Sequence, residues 1–148
     1  MTAGSWGARL RHLLEPDAAV LHLSAIAFQP DLAHRIEAAS DFYLMPSRFE
    51  PCGLNQMYSL RYGAIPVVRA TGGLQDSVVD IRENGALPDG IKFQEPAVAA
   101  VAKAIRKAMA LWHEPGLLAR YRDNGMAADF SWERSVRRYE ELYRELLG

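Results

Sequence analysis

The chain has 148 residues, 49% hydrophobic and 24% charged, which suits one globular domain with a proper core. A net charge of −1 offers no footing for nucleic acid or an anionic membrane, and a single cysteine excludes an internal disulfide framework and suits a reducing cytoplasm. No apolar run approaches a membrane span, and Met1 to Gly7 lacks the apolar core of a signal peptide, so a cytoplasmic protein is expected.

Trp6, Leu10, Leu13 and Leu14 recur at helical spacing, and Pro16-Asp17 ends that short helix. Val20, Leu21, Leu23 and Ile26 predict a buried strand over Val20–Ala27, and Pro30-Asp31 opens a helix through Ala39. Phe42–Met45 predicts a second strand, Leu54 to Tyr62 a helix, Ile65–Arg69 a third strand and Gln75 to Asn84 another helix stopped by Asn84-Gly85. Gly90–Phe93 makes a short fourth strand.

From Pro96 onward the pattern is all helical, over 96–147. Val98, Val101, Ala102, Ile105, Met109 and Trp112 form one apolar stripe expected to face inward. Glu114-Pro115 starts a further helix, with Leu118, Tyr121 and Met126 inward. Ser131 caps the last, whose aromatic side carries Trp132, Tyr139 and Tyr143 and whose other side pairs Glu133 with Arg137 and Glu140 with Arg144. Alternating strands and helices predict an α/β domain, an open parallel sheet of about four strands covered on both faces, with residues 1–148 as one unit. The histidines show no metal-ligand spacing: His22 reads as core-edge, His12 and His113 as solvent-facing and His34 as structural.

Two strand-to-helix turns carry the chemistry. In open α/β sheets such turns lie at the carboxyl ends of the strands, where ligands bind. In Ser47–Leu54, Glu50 stands just before a helix start. It can cap free amides, or it can hold a polar group beside an anion met by the amides of Gly53 and Leu54. In Ala70–Leu74, Gly72-Gly73 lets the backbone approach a ligand or take positive φ, although paired glycines also punctuate ordinary turns. The two turns together suggest one crevice.

Arg48-Phe49-Glu50-Pro51-Cys52-Gly53-Leu54, Arg61 to Arg69, Thr71-Gly72-Gly73-Leu74 with Asp76, and Asp129-Phe130-Ser131-Trp132 closely resemble the bacterial glycogen synthase and plant starch synthase family, as do Asp31–Ile36 and Met45-Pro46. The match runs in order from about residue 28 to the end. It implies a GT-B fold, two Rossmann-like domains facing a cleft, of which this chain resembles most of the second. The expected activity is retaining transfer of glucose from ADP-glucose or UDP-glucose to the 4-hydroxyl of an α-1,4-glucan, with no cofactor and no obligatory metal.

The resemblance also implies roles. Glu50 would hold sugar hydroxyls and favour a cationic ring, while amides at Cys52, Gly53 and Leu54 meet sugar or phosphate oxygens. Thr71, Gly72, Gly73 and Leu74 would bring a second helix start to the diphosphate. Cys52 reads as a small space-filler with a useful backbone, since no basic partner is visible to activate its thiol. Phe28 occupies the place of a base-stacking aromatic, though composition alone favours a core residue. Tyr58 stands where many GT-B enzymes have a second glutamate, leaving the ribose contact open; a helix aromatic is an equal reading.

The family's diphosphate-neutralising Arg and Lys, and two further central strands, precede the segment seen here; Arg48 and Arg69 are not their equivalents. The isolated chain is therefore expected to be inactive or nearly so, with strands Val20–Ala27 and Phe42–Met45 each showing an edge. Those edges would be covered by direct pairing, by the missing half or by a second copy. The alternative is a non-catalytic domain that binds nucleotide, glucan or protein.

Overall fold

A computed structural model describes residues 30–148. The expected strand Val20–Ala27, the helix before it, Phe28, His12 and His22 lie outside the described residues. Helix α1 (Pro30–Ala39) opens on proline, whose absent N–H costs nothing in a first turn, with Asp31 facing the positive end of the dipole. Strand β1 (Phe42–Met45) follows, then α2 (Asn55–Tyr62), β2 (Ile65–Arg69), the single-turn α3 (Gly73–Ser77) and β3 (Ile91–Phe93). The last three elements are helices: α4 (Val98–Trp112), α5 (Pro115–Ala127) and α6 (Trp132–Leu147). The C-terminal helical region thus begins at Val98 rather than at Pro96.

The described sheet has three parallel strands in the order β1-β2-β3. Phe42 stands opposite Ile65, and Val67 opposite Ile91. Side chains of β2 alternate between two cores. Ile65 and Val67 join Ile91, Phe93, Ala104, Ala108, Leu111, Leu118 and Tyr121 beneath α4 and α5. Val68 joins Met45, Leu74 and Val78 on the other face. Helices thus cover both faces, as alternation predicted, and β2 is buried on both sides.

The apolar stripe predicted for α4 is corrected. Ile105, Met109 and Trp112 are 40–60% exposed, and Val98 is 87% exposed. The helix instead lays Ala104, Ala108 and Leu111 on the sheet, with Val101 partly buried beside them. This helix is apolar on two sides, and the small alanines allow the closer approach to the strands. The bulky side turns toward the free side of β1, where Phe42, Leu44, Ile105, Met109 and Trp112 line an open hollow of about 330 Å³. Among the described residues β1 pairs only with β2, so the expected edge is present.

The predicted helix over Gln75–Asn84 is also corrected: it stops at Ser77. In a continuing helix the Val79 N–H would bond the Gln75 carbonyl. Here the Lys92 ammonium takes that carbonyl at 2.6 Å, and the Val79 N–H donates to Asp89 Oδ1 at 2.6 Å. Asp80 then accepts from the Lys92 N–H at 2.8 Å and from the Arg82 guanidinium at 2.7 Å, fixing an irregular crossing to β3. One carboxylate and one amine remote in sequence, Asp89 and Lys92, take the place of one more turn of helix.

Asp89 is 5% exposed, and burial pushes its carboxyl up to about 6, against the opposing pull of the Val79 N–H and Lys92. A folded value above the unfolded one means that its contribution is fully present below about pH 4 and is lost as pH rises through 6. Asp89→Asn keeps an oxygen for Val79 without the ionisation. Its unfolding free energy in urea should therefore gain on the wild type between pH 4 and pH 8, by on the order of 2 kcal/mol. A difference that stays flat over that range would remove the buried carboxylate from the explanation.

The final helix is capped by Ser131, whose Oγ accepts from the Arg134 N–H at 3.3 Å, as its sequence predicts. The Glu140–Arg144 pair forms at 3.3 Å, but Glu133–Arg137 does not, and Arg134 bonds the Asp129 carbonyl instead. No residue of α6 is buried, so its aromatic side does not pack on the described sheet.

Candidate functional site

The turn after β1 (residues 46–54) and the turn after β2 (residues 70–72) leave the same end of the sheet and lie against each other. The Gly73 N–H donates to the carbonyls of Glu50 (3.2 Å) and Pro51 (3.1 Å). A Cβ on Gly72 would sit 2.0 Å from the Glu50 carbonyl oxygen, and one on Gly73 only 1.9 Å from that of Cys52. Gly72 also takes φ 47°, a conformation L side chains rarely adopt. Backbone therefore meets backbone at this point, which is why two glycines stand in sequence there.

Glu50 is half-buried, and its Oε2 accepts a long 3.4 Å bond from the Ser47 hydroxyl. It does not cap α2. The N-cap position is Leu54, with no side-chain cap bond, so the capping reading of Glu50 falls away. Among the described residues no hydrogen bond uses the N–H groups of Cys52, Gly53 or Leu54. These donors stand at the positive end of an eight-residue helix and are open to a ligand oxygen. Gly53, at φ 70°, is a second position where only glycine is comfortable.

The second turn contributes differently. Its helix is five residues long, so its dipole is slight, and the amides of Gly73 and Leu74 are engaged, the latter with the Thr71 carbonyl at 3.1 Å. The Leu74 side chain is fully buried in the core. Thr71 and Gly72 remain at the surface of the turn, with N–H groups uncommitted among the described residues.

Cys52 is exposed, which overturns its reading as a space-filler; its carbonyl accepts from Gln56. Tyr58 is 41% exposed on α2, with its ring edge-on to His34 at 5.3 Å, and His34 also meets Tyr62. The structural reading of His34 fits this packing.

Three side chains that shape the turns carried little weight in the sequence. Arg69 donates to the Ser47 carbonyl at 2.7 Å, to the Arg48 carbonyl and to Gln94, so its charge is spent on backbone rather than offered to an anion. Gln56, fully buried, and Ser77 bridge the two turns. A polar residue inside a helical pattern gives no sign of burial, and only the facing turn makes these two visible.

No family model matches the chain. Among curated proteins it is 54% identical over 123 residues to glycogen synthase of Myxococcus xanthus and 52% identical over 126 residues to that of Thioalkalivibrio sulfidiphilus, each alignment covering 83% of this chain. It spans about a quarter of the length of these relatives, 25% and 26%. Among solved structures it superposes on the catalytic domain of starch synthase IV from Arabidopsis thaliana, described as bound to ADP and acarbose. That match has a TM-score of 0.72 and 35% identity, and covers 96% of this chain and 29% of that one. Sucrose-phosphate synthase from Thermosynechococcus elongatus shares the fold, with a TM-score of 0.61 and 23% identity over 99% of this chain and 36% of that one.

A parallel sheet with paired strand-to-helix turns and these similarities place the chain among the GT-B glycosyltransferases. Within them its sequence is similar to the glycogen synthases over 83% of its own length and to a starch synthase catalytic domain over 96%. No helix among the described residues is long and apolar enough to cross a membrane.

Proposed function

We propose that the chain is the donor-binding portion of a glucosyltransferase acting from ADP-glucose or UDP-glucose on an α-1,4-glucan. The observation that carries this reading is the seam of the two turns, where Glu50 and three N–H groups without a partner among the described residues lie beside Gly72. Departure of a nucleoside diphosphate leaves positive charge on the sugar ring and negative charge on phosphate. A carboxylate and a row of N–H donors fixed in advance stabilise the two respectively. Glu50 would face the sugar, and the amides of Cys52, Gly53 and Leu54 would meet sugar hydroxyl or phosphate oxygens. Thr71 and Gly72 would line the diphosphate. Gly73 and Leu74 would serve by shaping the turn, and Tyr58 would lie toward the nucleoside.

Among the described residues, the resemblance assigns no cation to the diphosphate. Arg69 is occupied by three carbonyls, and a dianionic leaving group left unneutralised forfeits several kcal/mol, with about tenfold in rate for each 1.4. Transfer would therefore require the remainder of a relative's length, and this chain alone would bind without turnover. Calorimetric titration with ADP, ADP-glucose and UDP-glucose, followed by a glucan-elongation assay, tests both statements. Saturable binding of ADP and one sugar nucleotide without elongation is expected. Glu50→Gln should weaken the sugar nucleotide severalfold and leave ADP unchanged. No binding of any of the three up to about 10 mM, an affinity below ~3 kcal/mol, would end the donor-site reading. Elongation by the isolated chain would end the incompleteness reading.

A further inference from the structure

Gln56 is 0% exposed, on the first turn of α2 and facing away from solvent. Its side-chain nitrogen lies 3.2 Å from the Cys52 carbonyl, 3.1 Å from the Gly53 carbonyl and 3.0 Å from Ser77 Oγ. Carbonyls only accept, so the surroundings settle which end of the amide is nitrogen. Its oxygen has no partner among the described residues, and it sits where a Cβ on Gly53 would come within 2.4 Å. Ser77, on α3, accepts from Gln56 and donates onward to the Gly73 carbonyl at 2.5 Å. Gly73 in turn donates to the carbonyls of Glu50 and Pro51. The bonds close a ring: first turn, Gln56, Ser77, second turn, and back to the first.

We propose that Gln56, acting through Ser77, is the positioning residue that holds the two turns in register, so that the free N–H groups of Cys52–Leu54 and the Gly72 turn address one ligand together. Neither side chain touches that ligand. Each turn leaves its own strand, and without the Gln56–Ser77 link the hydrogen bonds left between them among the described residues are those from the Gly73 N–H and those from Arg69, at the end of β2, to the Ser47 and Arg48 carbonyls. Chains of hydrogen bonds in a buried setting couple more tightly than isolated ones, so removing either side chain should release both turns. As a statement about ligand binding this rests on the donor-site reading, whereas the coupling of the turns stands apart from it.

The test therefore has two arms on the intact chain, with Gln56→Met, Ser77→Ala, Ser77→Thr and the Gln56→Met/Ser77→Ala double variant. In the first arm, amide hydrogen exchange is followed residue by residue. Ser77→Ala and Gln56→Met should each speed exchange at Gly73 roughly tenfold, the loss of about one buried bond, with Val67 and Val68 in β2 unchanged. Ser77→Thr, which keeps the hydroxyl, should restore the wild-type rate. In the second arm, ADP affinity should fall roughly tenfold in each single variant and no further in the double, because both break one ring.

Unchanged exchange at Gly73, or losses in the double variant that simply add, would overturn the proposal. If ADP does not bind the wild type, the donor reading fails and the exchange arm alone decides the ring. Ser77→Ala, at a half-buried position, carries both arms if Gln56→Met does not fold.

Discussion

Gly73→Ala is expected to lower the unfolding free energy by about 3–5 kcal/mol, more than ordinary overpacking costs. The added methyl would lie 1.9 Å from the Cys52 carbonyl oxygen and 2.5 Å from its carbon. Those are backbone atoms, so no rotamer change relieves the overlap, and separating the turns breaks the bonds from the Gly73 N–H as well. Gly116→Ala is the internal comparison: nothing lies within 4 Å of its Cβ position, near the start of α5, and a gain of about 0.5 kcal/mol is expected there. Urea unfolding of both variants gives the answer directly. Equal midpoints would mean that the turns do not meet as described.

The second large effect belongs to the crossing between α3 and β3. The Lys92 side chain is 3% exposed, and its ammonium has two partners, Glu83 Oε2 at 2.7 Å and the Gln75 carbonyl at 2.6 Å. Glu83→Ala leaves a buried positive charge with one neutral acceptor. A fully buried pair broken this way costs about 3–5 kcal/mol; Glu83 is 41% exposed, so about 2–3 is expected. The double variant Lys92→Met/Glu83→Gln should recover most of that loss, since an apolar side chain of similar length leaves no charge to satisfy. Burial raises the Glu83 carboxyl, but bonds from Lys92, the Asp80 N–H and Gln75 outweigh it and hold it below the usual range. Its contribution is therefore present above about pH 4.5 and lost as pH falls through the lower folded value, a loss the Glu83→Ala variant should not show. A double variant no better than Glu83→Ala would mean that the buried ammonium is not the source of the cost.

Three strands, their parallel order and the two site turns were legible in local pattern. Short runs such as Phe42–Met45 and Ile65–Arg69 flanked by turn residues have few other conformations open to them. Glu50 and Gly72 could be named from the turns alone, and in the structure the backbones of the two turns meet at these residues. The length of α3 could not be read, because what ends it is Lys92 and Asp89, ten or more residues further on. Nor could the inward side of α4, since hydropathy ranks Met109 above Ala108 while the distance to the sheet favours the smaller side chain.

By itself the sequence determined the class of fold, the family resemblance and the pair of turns, because those reside in spacing along the chain. Only the tertiary structure decided which donors remain free. The amides of Gly73 and Leu74 are consumed inside the protein, Arg69 is spent on three carbonyls, and those of Cys52–Leu54 have no partner among the described residues. A hydrogen-bonding group can be assigned to a ligand only after every internal claim on it has been met, and those claims come from residues that folding brings near.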